Sequence, residues 1–183
     1  MVELPVDVNT LLEADAVIVT HTHDDHWDRA AVELIGKDKP VFVQNDSDAA
    51  LLRSQGFTHL TVMTEETAFG DIRIAKTRGG QHGTDRAYAV PELAERLGEA
   101  CGVVLRHPDE KTLYIVGDTI WRDEVAADLQ KHQRMWWCLT RAMLTSSGLG
   151  RLSWARKMCS TSTSCCRRRK LWRPIWRPST TVC

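Results

Sequence analysis

Residues 134–183 contain no aspartate, no glutamate and no histidine. The segment therefore offers no carboxylate or imidazole to a divalent metal ion. Long apolar runs are also missing: nothing approaches the ~18 consecutive apolar residues of a membrane-spanning helix. The start Met1-Val2-Glu3-Leu4-Pro5 has no basic stretch and no apolar core, so it does not read as a secretory signal, and the acidic part of the chain is expected in the cytoplasm. Cysteine is scarce where acids are plentiful, with Cys101 alone before residue 134. Cys159, Cys165, Cys166 and Cys183 lack the paired spacing of a zinc module, and a disulfide framework would need an oxidising compartment for which there is no signal.

The chain has 183 residues, 43% of them hydrophobic and 26% charged, enough for one soluble domain with a core. Its net charge of zero hides two unlike pieces. Residues 1–133 hold 13 Lys and Arg against all 24 Asp and Glu, a net charge of −11, whereas residues 134–183 hold 11 Lys and Arg and no acid. The same boundary sorts other residues: all seven His lie before it, and five of the six Cys and five of the seven Trp lie after it.

The acidic piece carries one dense motif, His21-Thr22-His23-Asp24-Asp25-His26, directly after the apolar segment Ala16-Val17-Ile18-Val19. Imidazole nitrogens and carboxylate oxygens bind Zn²⁺ and similar ions, and an extended backbone aims alternate side chains, His21 and His23, to one side. The alternative is a solvated loop with chance histidines. Three of the seven His within six positions, interleaved with Asp, favour the metal site.

The run fits the pattern HxHxDH and resembles the metallo-β-lactamase superfamily, with His21, His23, Asp25 and His26 at the defined positions. Two further features carry the resemblance. His82 lies in Arg78-Gly79-Gly80-Gln81-His82-Gly83, and Gly117-Asp118-Thr119 follows the apolar segment Leu113-Tyr114-Ile115-Val116. The wording Thr20 to Asp28 is most similar to the branch containing ascorbate-6-phosphate lactonase-like proteins. The resemblance covers residues 1–133 and implies an αββα sandwich, two facing sheets with helices outside and metals at one edge. It further implies that His21, His23 and His82 hold one ion, that Asp25 and His26 hold a second, and that Asp118 bridges or completes the pair. The ions would be Zn²⁺, or alternatively Mn²⁺ or Fe, and the reaction hydrolysis of a small ester, lactone or phosphoester by activated water. Asp25 is then the residue that orients the water or accepts its proton. Trp27 and Asp28 either support the ligands from behind or serve in helix packing and as a helix-start charge. Asp118 has a turn-residue alternative that its Gly-Asp-Thr context outweighs.

Residues 6–13 read as a short helix, 15–20 as a buried strand and 27–35 as a helix. Strands are expected at 41–43, 59–63 and 72–76, with a helix over 47–54 and a turn at Phe69-Gly70-Asp71. Pro91 opens a helix, 102–106 and 112–116 form a hairpin, and 121–132 is an amphipathic helix. The pattern is layered α/β. Family members usually have several strands before the first metal loop. About twenty residues precede His21 here, so an N-terminal truncation and a first sheet short of strands are expected.

Three readings compete for the tail: a basic nucleic-acid arm, a Cys-rich metal module, and a coding sequence read out of frame. Only the last makes a sharp prediction. Arg134 to Leu139 can be encoded so that one restored base yields Pro-Asp-Val-Val-Val-Leu, an ordinary buried strand. Ile175 to Val182, treated likewise, yields His-Met-Glu-Ala-Val-Asn-His-Cys, and Lys157 to Thr161 regains acids. On this reading 134–183 is poorly ordered, nucleic-acid binding is disfavoured, and the C-terminal His that completes a second metal site in family members is lost, so activity is impaired or, alternatively, the chain is an inactive fragment with residual metal binding. His59, His107 and His132 read as exposed or structural, and Cys101 as a small core residue.

Overall fold

The computed structural model describes residues 6–78, 82–132 and 136–138. The first half alternates helix and strand: α1 (Val8–Leu12), β1 (Val17–Val19), α2 (Arg29–Leu34), β2 (Val41–Val43), α3 (Asp46–Ser54) and β3 (Leu60–Val62). Parallel neighbours need a crossover long enough to return the chain, and α2 and α3 supply it, giving a parallel sheet in the order β1-β2-β3. Both crossover helices start on a side-chain cap. Asp28 Oδ1 accepts the Ala31 N–H at 2.7 Å, and Asn45 Oδ1 accepts the Asp48 N–H at 2.8 Å.

The second half opens with a hairpin of β4 (Thr67–Phe69) and β5 (Ile72–Lys76), closed by Gly70-Asp71 with Gly70 at φ 56°, where glycine bears no steric penalty. Two short helices follow, α4 (Asp85–Tyr88) and α5 (Pro91–Leu97), then the hairpin strands β6 (Val103–Arg106) and β7 (Leu113–Ile115), α6 (Asp123–Lys131) and β8 (Trp136–Cys138). The sheet order is β4-β5-β6-β7-β8, antiparallel except where β8 returns across α6 to lie parallel to β7.

Strand periodicity builds the layers. In β2, Phe42 faces one way and Val41 and Val43 the other, and all three are buried. Phe42 joins Met63, Ile74, Cys101 and Val103 between the two sheets. Val41 and Val43 join Val19, Trp27, Ala49, Leu52 and Phe57 beneath α2 and α3. Val104 faces away from its neighbour Val103 and packs with Ala75, Tyr114, Val116 and Val125 beneath α6. The result is α2 and α3, first sheet, second sheet, α6: the expected four αββα layers. No helix of the described residues is long and apolar enough to cross a membrane.

Most expected elements form with ends shifted by one or two residues. β4 and α4 were not anticipated, being three and four residues long with no readable periodicity. Within the tail, residues 136–138 form β8, at the place where the restored reading expects a strand; the rest of 134–183 lies outside the described residues.

The sheets meet under the loops that follow β1, β5 and β7. Cys101 N–H donates to Thr20 O at 3.1 Å, joining the second sheet's approach to the end of β1. A Cβ on Gly102 would stand 2.6 Å from Val116 O, and one on Gly117 would stand 2.4 Å from Cys101 O. Gly117, at φ 81°, thereby lets the main chain close up immediately before Asp118.

Candidate metal centre

The loop after β1 turns tightly, with the N–H groups of His26 and Trp27 both donating to His23 O at 2.9 and 2.8 Å. This curls His26 back towards His21 and His23. The ring centroid of His21 lies 4.1 Å from that of His26, 4.8 Å from His82 and 4.9 Å from His23, and the His23 and His82 rings stack at 4.7 Å. Two convergent donor groups result, His21/His23/His82 and His21/His26/Asp118, each with its ligand atoms within 4.8 Å of one another.

Protonation decides what such a cluster can hold. Burial, reinforced by the neighbouring imidazoles of His26, His82 and His23, pulls His21 down to about 3, so its ring is neutral at ordinary pH. Burial also holds His82 below the usual histidine range, although Asp118 opposes the shift. His82 Nδ1 lies 2.8 Å from Leu97 O; a carbonyl only accepts, so Nδ1 carries the hydrogen and Nε2 keeps a lone pair. That lone pair faces Asp118 Oδ2 at 3.4 Å. His26 Nε2 is 3.7 Å from the same oxygen.

A divalent ion fits these residues. His21 Nε2, His82 Nε2 and Asp118 Oδ1 are buried without a hydrogen-bond partner, which is costly for polar atoms unless something electropositive joins them. Gly98, at φ 58°, takes a backbone conformation that favours glycine beside the cluster, where a Cβ would make ordinary contact with His23 Nε2 at 3.5 Å.

The structure thus brings together His21, His23, His26, His82 and Asp118. Asp25 stays outside both groups: its side chain is 77% exposed, and Oδ2 lies 3.8 Å from His26 Nε2. His26 is paired with Asp118 and His21 rather than with Asp25. Trp27 is buried among core residues, 5.4 Å from the Phe57 ring, and its Nε1–H donates to Gln55 Oε1 at 2.9 Å. Asp28 is exposed and caps α2. Both fix the exit of the metal loop through packing and capping. Gly79 to Gln81, residues 133–135 and residues 139–183 lie outside the described residues. His59 is exposed, His107 Nδ1 accepts the Asp109 N–H at 3.2 Å, and His132 contacts Arg106; none joins the cluster. Cys101 is a core residue whose thiol burial pushes up to about 12.

Sequence reasoning missed Leu97 and Gly98, which hold His82 and lie beside His23. It also missed Asp48, a buried acid that accepts a hydrogen bond from Thr22. Asp48 reads along the chain as one more acid at a helix start, and only tertiary structure brings it to the loop.

Comparison with known proteins agrees with this geometry. The chain is 40% identical over 134 residues to the UPF0173 protein YddR of Bacillus subtilis strain 168, and 29% identical over 132 residues to a UPF0173 metal-dependent hydrolase of Koribacter versatilis strain Ellin345. The chain is a homologue of the UPF0173 metal-dependent hydrolases. Its αββα layers are those that the resemblance to the metallo-β-lactamase superfamily implies. Among solved structures, a possible metal-dependent hydrolase from Veillonella parvula DSM 2008 is 38% identical with a TM-score of 0.80, covering 88% of this chain and 64% of that one. An isothiocyanate hydrolase from Delia radicum gut bacteria is 50% identical with a TM-score of 0.69, covering 73% of this chain and 52% of that one. The two curated UPF0173 relatives match over 73% and 62% of this chain, which spans about half of their length, 50% and 53%. No protein-family model matches the chain.

Proposed function

We propose that the protein is a metal-dependent hydrolase of a small-molecule substrate of the ester, lactone or phosphoester type. The observation that carries this reading is the confrontation of the His82 Nε2 lone pair with the Asp118 carboxylate at 3.4 Å, next to the unpartnered His21 Nε2. Two electron-rich atoms held that close without a hydrogen between them call for a cation.

His21, His23 and His82 would hold one ion, and His26 and Asp118 stand beside it as donors for a second, to which His21, with a single free lone pair, could contribute only in place of the first; nitrogen and oxygen donors suit Zn²⁺ first, then Mn²⁺ or Fe. A bound ion of this kind lowers the pKa of its water towards neutrality and polarises the electrophile. The chain's own residues do the rest. Burial keeps His21 neutral and ready to bind, Leu97 O fixes the His82 tautomer, and the exposed Asp25 carboxylate beside His26 would orient water or accept a proton.

Purified full-length protein loaded with Zn²⁺ should hydrolyse a generic ester or phosphoester panel, and a chelator should abolish the activity. A panel unaffected by metal or chelator would sink the proposal. A second substrate class, an isothiocyanate, is favoured by the 50% identity to an isothiocyanate hydrolase. There water adds across the heterocumulene carbon, and R–N=C=S and H₂O give R–NH₂ and COS. Competition between the two classes for one enzyme preparation discriminates them.

We also propose that residues 134–183 are an out-of-frame tail and that activity is impaired in this chain. The support is the compositional break: no acid and 11 Lys and Arg after residue 133. A nucleic-acid arm would instead show association that weakens steeply with salt.

A further inference from the structure

We infer that Thr22 and Asp48 form a positioning pair that sets the aim of His21 and His23; the inference rests on the reading of the cluster as a metal centre. Alternation along the loop sends the side chain of Thr22 away from the imidazoles on either side of it. There Thr22 Oγ1 donates to Asp48 Oδ1 at 3.2 Å. Asp48 stands in the first turn of α3 and is only 7% exposed, with its other oxygen, Oδ2, buried and unpartnered.

Burying a carboxylate with one oxygen unsatisfied opposes folding, so the residue is poorly explained as a helix-start charge alone. A solvent-facing acid would serve the α3 terminus equally well, and Asp46 is already there. The start of α3 also reaches the opposite side of the centre. Gln44 Nε2 donates to Glu99 O at 2.8 Å and Asn45 Nδ2 to Glu99 Oε2 at 3.1 Å, next to the Gly98 that flanks His23. The start of α3 and the two residues before it thus hold Thr22 by its hydroxyl through Asp48 and Glu99 by its carbonyl and carboxylate through Gln44 and Asn45. Outer partners of this kind hold ligands in their binding geometry and typically change metal affinity by 10–100-fold when removed.

The test uses full-length protein and Zn²⁺ alone, with affinity read by competition against a chromogenic chelator and the metal-free thermal midpoint read alongside. Thr22→Val keeps the shape and removes the donor; it should weaken zinc binding roughly 10–100-fold while the metal-free midpoint stays within a few degrees. Thr22→Ser restores the hydroxyl and should bind within about threefold of wild type. Asp48→Ala should weaken binding to a similar degree, and the double variant should be no worse than either single one, because both remove one interaction. Thr22→Val binding zinc as tightly as wild type overturns the inference. Equal weakening in Thr22→Val and Thr22→Ser, with a fallen metal-free midpoint, also overturns it, since the pair would then only support the fold. Wild-type protein that takes up no zinc refutes the metal reading and this inference with it, whereas zinc-binding wild type with indifferent variants refutes the pair alone.

Discussion

Gly98 leaves empty the space in which a Cβ would stand 3.5 Å from His23 Nε2, and it does so at φ 58° and ψ −165°. That conformation is essentially confined to glycine, and forcing another residue into it costs of the order of 1–3 kcal/mol. Gly98→Val should lower the urea midpoint correspondingly, because valine cannot take this backbone without strain. A variant with wild-type stability would show that the backbone at 98 is not special.

The two donor groups share His21, so single removals should separate them. His26→Ala should leave the His21/His23/His82 group able to bind, whereas His21→Ala should cripple both. Elemental analysis of dialysed protein reads this directly. Wild type as written should carry fewer than two ions per chain, and a stoichiometric pair would contradict the impaired second site.

Acid should unfold the metal-free protein in a window set by His21. Its folded pKa is depressed from 6.5 to about 3 by burial first and by neighbouring imidazoles second, so between these values the unfolded chain binds the extra proton. Stability is therefore complete above pH ~6.5, falls as pH drops, and levels off for this group below about 3. Thermal midpoints measured from pH 8 to 4 should fall with acidification. The fall should be shallower in His21→Gln, and an identical slope would count against the buried neutral ring.

Trp27→Phe separates packing from support of the ligands. Loss of the Nε1–H donor to Gln55 should cost about 0.5–1.5 kcal/mol of stability while zinc affinity stays unchanged. Lost affinity at unchanged stability would instead make Trp27 a prop of the metal loop.

Resequencing the source DNA across the codons for Gln133 and Arg134 should reveal one missing base. The frame-restored chain should then be more soluble and take up more metal. An unchanged reading would make the basic tail genuine.

Much of this architecture was legible because local signals agreed. Val41–Val43 is apolar on every residue, as a strand buried on both faces requires, and Pro91 marks a helix start that the structure places at Pro91–Leu97. Four of the converging side chains sit in recognisable contexts, His21, His23 and His26 in one motif and Asp118 behind an apolar strand. Where reasoning along the chain fell short, the cause was distance. Asp25 lies inside the motif, yet the turn at His23 O carries it outward while Asp118 moves in. Asp48, Leu97 and Gly98 carry no motif, and their roles exist only through partners 26, 15 and dozens of residues away.

The ground beneath the ligands is main chain pressed against main chain, with Gly102 against Val116 O and Gly117 against Cys101 O. Neither position tolerates even a methyl group without moving the strand that delivers Asp118. A substitution at either glycine would therefore reach the cluster through the main chain, displacing Asp118 without touching any of the side chains around it.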